Sequence, residues 1–173
     1  SDVYKRQGDY IYSKAFIYLV DIGNKKILKE LASTTNDIAQ GELVQLDAIN
    51  NVNITLNKLK KISYFKTGRL FEAAAKTGAI IANENKAFNY NVSECAKNLG
   101  ILFQITDDLL DYSDNKKIGK PVFQDIKEGK VTYPFFYAYK NANTREKKRL
   151  KGLLGASRDL KSKDLDLIKS LEG

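Results

Sequence analysis

The chain has 173 residues, with 29 lysines and arginines against 21 aspartates and glutamates, for a net charge of +8. That length supports one domain with a real core and is short for two. A single cysteine, Cys95, excludes an internal disulfide and fits a reducing compartment, and the absence of histidine removes the usual proton carrier near neutral pH. No apolar run approaches the roughly 20 residues of a membrane span, and no signal-peptide pattern opens the chain, so the expected location is cytoplasmic. The positive surplus suits an anionic partner such as nucleic acid, a membrane surface or a phosphorylated metabolite. No aromatic–basic nucleic-acid motif accompanies the charge, so nucleic acid is not expected as the partner.

The pattern is helical nearly throughout, and the expected fold class is all-α. Residues 1–7, SDVYKRQ, show no clear periodicity, and the chain holds no methionine. The expectation is a piece of a longer protein whose first seven residues lie outside the fold. Residues 9–20 carry Tyr10, Ile11, Ala15, Phe16, Leu19 and Val20 at helical spacing, and IGNK at 22–25 supplies a turn. Residues 26–47 read as a longer helix, which polar NNVN at 50–53 ends. A short helix over 54–63 runs toward 64–83, YFKTGRLFEAAAKTGAIIAN, whose small residues suit close packing. Gly68 and Gly78 there are expected to permit helix contact.

ENKAFNYN at 84–91 reads as a loop, with Ser93 as the cap of a helix over 93–113. A long polar stretch, SDNKKIGKPVFQDIKEGK, fills 113–130; loops of that length in compact domains are usually functional or disordered. Thr132 and Pro134 can open the next helix, and amphipathic segments near 143–154 and 162–171 close the chain. The basic run REKKRLK at 145–151 reads as a solvated face, and Cys95 as a small core residue.

One helix asks for an explanation. After the largely apolar NLGILF comes QITDDLLDY, residues 104–112. Asp107 and Asp108 lie four and three residues before Asp111, on one helical face, with Gln104 a turn earlier. Like charges at that spacing destabilise a helix unless something positive compensates them. Such carboxylates suit a hard divalent cation, since Mg²⁺ takes one or two carboxylates, waters and phosphate oxygens. The following loop offers Lys116, Lys117, Lys120, Lys127 and Lys130 as point charges for phosphate. The bland alternative is a solvated helix end beside an ordinary charged loop.

FQITDDLLDY followed by GKPVFQDIKEGKVTYP resembles the second aspartate-rich region of the trans-isoprenyl diphosphate synthases. GDYIYSKAF at 8–16, GELVQLD at 41–47 and YFKTGRLFEAAAKTGA at 64–79 match further family segments in the family's order, from Gly8 to about Tyr139. The likeness is to the long-chain bacterial branch, which makes the polyprenyl tails of quinones.

The resemblance implies helices around a central cavity, the isoprenoid synthase fold, of which residues 8–173 would form the C-terminal portion. It implies two facing aspartate-rich sites holding three Mg²⁺ ions and an allylic diphosphate, which condenses with isopentenyl diphosphate. Asp107, Asp108 and Asp111 match the metal-binding second site, and Gln104 the polar position beside it. Lys66 and Thr67 match residues that contact the allylic diphosphate, Lys120 and Lys130 the lysines of the following loop, and Gln45 a cavity wall. Asp107, Asp108 and Lys66 are the expected catalytic residues. Ile101, Leu102, Phe103 and Ile105 would line the mouth of a prenyl channel or pack the core, and packing is the expectation for each.

Relatives carry their first aspartate-rich motif upstream of the GDY segment, where only SDVYKRQ stands, so this stretch is expected to be inactive alone. Complete relatives are commonly homodimers. Two other readings remain: a terpenoid cyclase of the same fold, and a non-catalytic subunit. The lysine-bearing loop after DDLLD favours elongation over cyclisation.

Overall fold

The computed structural model describes residues 2–113, 123–156, 160 and 162–171, without the side chains of 2–5, 162 and 165. The described residues are helices and connecting turns, with no strand among them.

Helix α1 spans Asp2–Ile22, so residues 2–7, expected outside the fold, carry the helix upstream. Gly23, at φ +68°, turns the chain into α2, Lys25–Leu46. The Asn24 side chain caps α2 by accepting from the N–H groups of Lys26 and Ile27 at 3.0 and 3.3 Å, filling two of the donors a helix start leaves open. Asn50, at φ +58°, adopts the left-handed conformation that asparagine tolerates, and the chain reverses.

Helix α3, Leu56–Ser63, is capped by Thr55 and passes without a break into α4, Arg69–Ile81. Between them Tyr64–Gly68 form a π segment. Such a bulge adds one residue to a turn and is frequent at functional positions.

The largest departure from the sequence reading is α5, which runs from Lys86 to Leu110. Asn85 is its cap, accepting from the Phe88 N–H at 2.9 Å, so ENKAFNYN is mostly helix and not loop. Ser93 lies inside α5, its hydroxyl turned back onto the Asn89 carbonyl at 2.5 Å. Helix α4 lies along α5, and Gly68 at the end of the π segment packs closely on Gly100 of α5. A Cβ on Gly100 would stand 2.7 Å from Gly68 Cα and 2.9 Å from the Phe71 ring. Gly78 has open space around it, so the contact role expected of it falls to Gly68 and Gly100.

Four helices follow: α6, Gln124–Lys127; α7, Tyr133–Asn141; α8, Thr144–Lys151; and α9, Ser162–Leu171. Asn143 and Glu146 close a reciprocal capping box at the start of α8. The core lies in this half, where Ile126, Phe135, Leu150, Leu153 and Ile168 are fully buried. Each contributes about 1.5–3 kcal/mol by leaving water. On the other side, Tyr10, Ile11 and Tyr18 of α1 and Leu99, Leu102 and Phe103 of α5 stay exposed. Leu102 and Phe103 therefore do not pack the core, and Cys95 is exposed as well.

Candidate functional site

Four residues is a little over one helical turn, so Gln104 and Asp108 share a face of α5, and both are buried at 6% and 7% exposure. Gln104 Nε2 donates to Asp108 Oδ1 at 2.8 Å. Gln104 Oε1 in turn accepts from Thr67 Oγ1 at 2.5 Å, which joins α5 to the π segment. The chain Thr67–Gln104–Asp108 fixes the orientation of the amide and so aims the carboxylate.

Asp111 ends α5 and builds the next element. Its Oδ1 and Oδ2 accept from the N–H groups of Gln124 and Asp125, each at 3.1 Å, and its carbonyl accepts from the Phe123 N–H at 3.0 Å. A carboxylate at the first N–H groups of a helix is favoured by charge as well as by hydrogen bonding. Phe123 is held at φ +64°, with its buried ring edge-on to Tyr112. A non-glycine residue in that region is strained by about 1–3 kcal/mol and persists only where its surroundings enforce it.

The far end of α6 is fixed by Asn50, whose N–H donates to the Gly129 carbonyl at 2.7 Å. Gly129 has φ +72°, and a Cβ there would meet Asn50 Oδ1 at 2.4 Å, so only glycine fits. The turn delivers Lys130, whose Nζ pairs with Glu128 at 2.5 Å.

These elements enclose one cleft. Lys66, Gln104, Asp108, Asp125 and Lys130 supply its polar side chains together with Gln45, Ser63, Thr132 and Tyr133, over an apolar floor of Leu59, Ile62 and Val131. Burial pushes the Asp108 carboxyl up to about 7, against the hydrogen bond from Gln104, while Lys66 opposes the rise and Asp125 and Asp107 add to it. Burial likewise lifts Asp125 to about 6, with Asp111 adding repulsion and Lys130 and Lys66 offsetting it. Asp111 is raised by burial despite its two backbone donors. Burial is the largest cause for all three carboxyls, and for Asp108 and Asp125 the cleft lysines offset it only in part.

Of the residues expected from sequence, Gln45, Lys66, Gln104, Asp108 and Lys130 line the cleft, and Thr67 stands behind Gln104. Asp107 lies exposed on the neighbouring flank of α5, and Asp111 anchors α6. Lys116, Lys117 and Lys120 lie outside the described residues. Asp125, which follows the aspartate motif in the loop, is itself part of the cleft. Among the described residues no three acidic or cysteine side chains are arranged to cage an ion by themselves. The cleft carboxylates Asp108 and Asp125 are hard oxygen donors, so a hard cation held there would complete its shell with water and phosphate oxygens.

The described helices, with carboxylates and ammonium groups brought into one cleft, have the fold of the polyprenyl synthases, the isoprenoid synthase architecture. The chain belongs to the polyprenyl synthetase family, which matches residues 6–171. The octaprenyl diphosphate synthase of Escherichia coli is 39% identical over 132 residues, covering 76% of this chain and 41% of that protein. A decaprenyl diphosphate synthase from Rhodobacter capsulatus superposes with a TM-score of 0.84 at 33% identity, over 95% of this chain and 51% of that one. A polyprenyl synthase from Caulobacter crescentus, solved with calcium and isoprenyl diphosphate, gives 0.86 at 30% identity, over 94% of this chain and 51% of that one. The chain thus spans about half the length of the relatives it matches. These findings agree with the family expected from the motif order and with its long-chain bacterial branch. Among the described residues no helix is long and apolar enough to cross a membrane.

Proposed function

We propose that residues 1–173 form the diphosphate-holding portion of a Mg²⁺-dependent prenyltransferase. The complete enzyme would join isopentenyl diphosphate to an allylic diphosphate, making a trans-polyprenyl diphosphate for quinone side chains. The observation that carries this reading is one cleft in which Lys66 and Lys130 face Asp108 and Asp125.

Asp107 and Asp108 would hold the metal, with Asp111 behind them. When bound, the metal supplies Lewis acidity that neutralises charge developing on the departing diphosphate. Lys66 and Lys130 bind the diphosphate oxygens and keep the leaving group in place as the allylic C–O bond ionises. Gln104 stays neutral and orients Asp108, so the carboxylate does not have to reorganise during the step. Gln45 and Thr132 bound the cleft beside the lysines. The double bond of isopentenyl diphosphate attacks the allylic cation, and the proton then lost goes to the diphosphate that Lys66 and Lys130 retain. That route needs no histidine.

We place the complete enzyme in the cytoplasm as a homodimer. The exposed apolar rows of α1 and α5 support a further covering surface, since isolated domains rarely leave such patches open. Residues 1–173 contain one aspartate-rich motif of the pair, so by themselves they should give no steady condensation. The test is a complete form carrying both motifs. Replacing Asp107 and Asp108 together by alanine should lower turnover by orders of magnitude while the helical circular dichroism stays unchanged. Normal turnover in that double variant would refute the assignment.

A further inference from the structure

The π segment carries both Lys66 and Thr67, and its register decides where they point. Relaxation to a regular α-helix would shift the register by the one extra residue and turn the side chains on one flank by about 100° relative to those on the other. Something must hold the bulge open. The close packing of Phe65 on Gly41, where a Cβ would meet Phe65 Cβ at 2.6 Å, fixes how near α2 comes. It does not select the register.

A hydrogen-bonded strap spans the segment. Tyr64 Oη, at its first residue, donates to Glu72 Oε2 at 2.6 Å in the first turn of α4. Glu72 Oε1 is held by Lys76 Nζ at 2.5 Å, and Arg69 Nη1 lies 3.6 Å from Glu72 Oε2. Arg69 carries the strap to α2, donating from Nη1 to Glu30 at 2.7 Å and from Nε to Asp37 at 2.8 Å. Arg69 and Glu72 are buried, at 5% and 7% exposure. The Tyr64 ring also lies 5.6 Å from Lys97 Nζ of α5. None of Tyr64, Arg69 or Glu72 lines the cleft, so this set is not part of the binding surface.

We infer that Tyr64, Glu72 and Arg69 are positioning residues: the Tyr64–Glu72 bond locks the π register, Arg69 ties it to α2, and together they hold Lys66 and Thr67 toward the diphosphate. The inference rests on the reading of the cleft as a diphosphate site. Tyr64→Phe removes the hydroxyl and leaves the ring in place.

The experiment is calorimetric titration of inorganic diphosphate with Mg²⁺ into the unaltered chain and into Lys66→Ala, Tyr64→Phe and the double variant. Tyr64→Phe should weaken binding about tenfold, as expected for loss of a hydrogen bond to a charged group, and Lys66→Ala at least as much. The double variant should bind no more weakly than Lys66→Ala alone, because without Lys66 the register has little left to position. Amide exchange at residues 65–69 should quicken in Tyr64→Phe, while residues 93–100 of α5 exchange as before. Binding weakened by Lys66→Ala but untouched by Tyr64→Phe would overturn the inference and leave the site reading standing. An equal Tyr64→Phe loss in both backgrounds would mark general loosening and also overturn it. No binding by the unaltered chain, or none of it dependent on Lys66, would sink the site reading and the inference with it. Glu72→Gln keeps an oxygen for the Tyr64 hydroxyl, whereas Glu72→Ala does not. The first should bind several-fold more tightly, and equal binding would contradict the strap even if Tyr64→Phe failed to fold.

Discussion

Gln104 stands one helical turn before Asp108 and donates to it at 2.8 Å, while its own carbonyl oxygen is taken by Thr67. Both ends of one neutral amide are therefore committed, and the buried carboxylate keeps a donor that adds no charge. Gln104→Leu removes both bonds and leaves Asp108 buried without that partner. In a complete enzyme turnover should fall about ten- to a hundredfold, matching the loss of a hydrogen bond to a charged group. Gln104→Glu should not rescue it, because a second carboxylate would then press against Asp108. Steady-state kinetics of the two variants check this.

The contact of α4 with α5 predicts a stability effect remote from the chemistry. Gly100→Ala would drive a methyl group to within 2.7 Å of the Gly68 backbone and 2.9 Å of the Phe71 ring. Overpacking of this kind costs about 1–3 kcal/mol. The midpoint of thermal unfolding, followed by helical circular dichroism, should drop by roughly 2–4 °C per kcal/mol. Gly78→Ala, which meets open space, should leave it unchanged or slightly raised, since alanine favours helix over glycine.

The Arg69 cluster predicts an acid-sensitive contribution. Burial alone would raise the Glu72 carboxyl, but hydrogen bonds from Lys76 and Tyr64 and the charges of Lys76 and Arg69 hold it below its usual value of 4.5. A carboxyl depressed on folding contributes stability that is complete above its unfolded value and is lost as pH falls through its folded one. The Glu72 contribution should therefore be lost from about pH 5 downward, against the opposite trend of Asp108 and Asp125, whose carboxyls are raised on folding. Glu72→Gln should be less stable at neutral pH, and its denaturant midpoint should fall less steeply with acid. Parallel pH profiles for the two proteins would contradict this role.

How far the fold could be read in advance differs from element to element. Helical spacing placed α2, α3, α4 and α9 because apolar positions recur at the helical period, whereas the caps Asn24 and Thr55 read only as part of a turn and of a helix. The start of α5 was missed because the turns after its cap, Asn85, mix asparagines with Ala87, Phe88 and Tyr90, which are exposed and form no core-facing stripe. The π segment was invisible for a related reason: one extra residue shifts the period too little to show inside a long helical pattern. Among site residues, Asp108 and Gln104 were legible from spacing on one helix. Lys66 was marked only by its likeness to a family motif, since a lone lysine otherwise reads as solvated. Asp125 reaches the cleft because Asp111 seats the N–H groups of α6 and Asn50 fixes its far end, contacts between segments distant in the chain. Nothing local announces them.

The central claim is that this cleft holds a diphosphate through Lys66 and Lys130 with a divalent cation on the carboxylates around Asp108. The most direct test is calorimetric titration of inorganic diphosphate into the chain, with and without Mg²⁺, compared with Asp108→Ala. The account predicts binding that requires Mg²⁺ and is lost in Asp108→Ala. Binding of equal strength without the metal, or undiminished in Asp108→Ala, would contradict it.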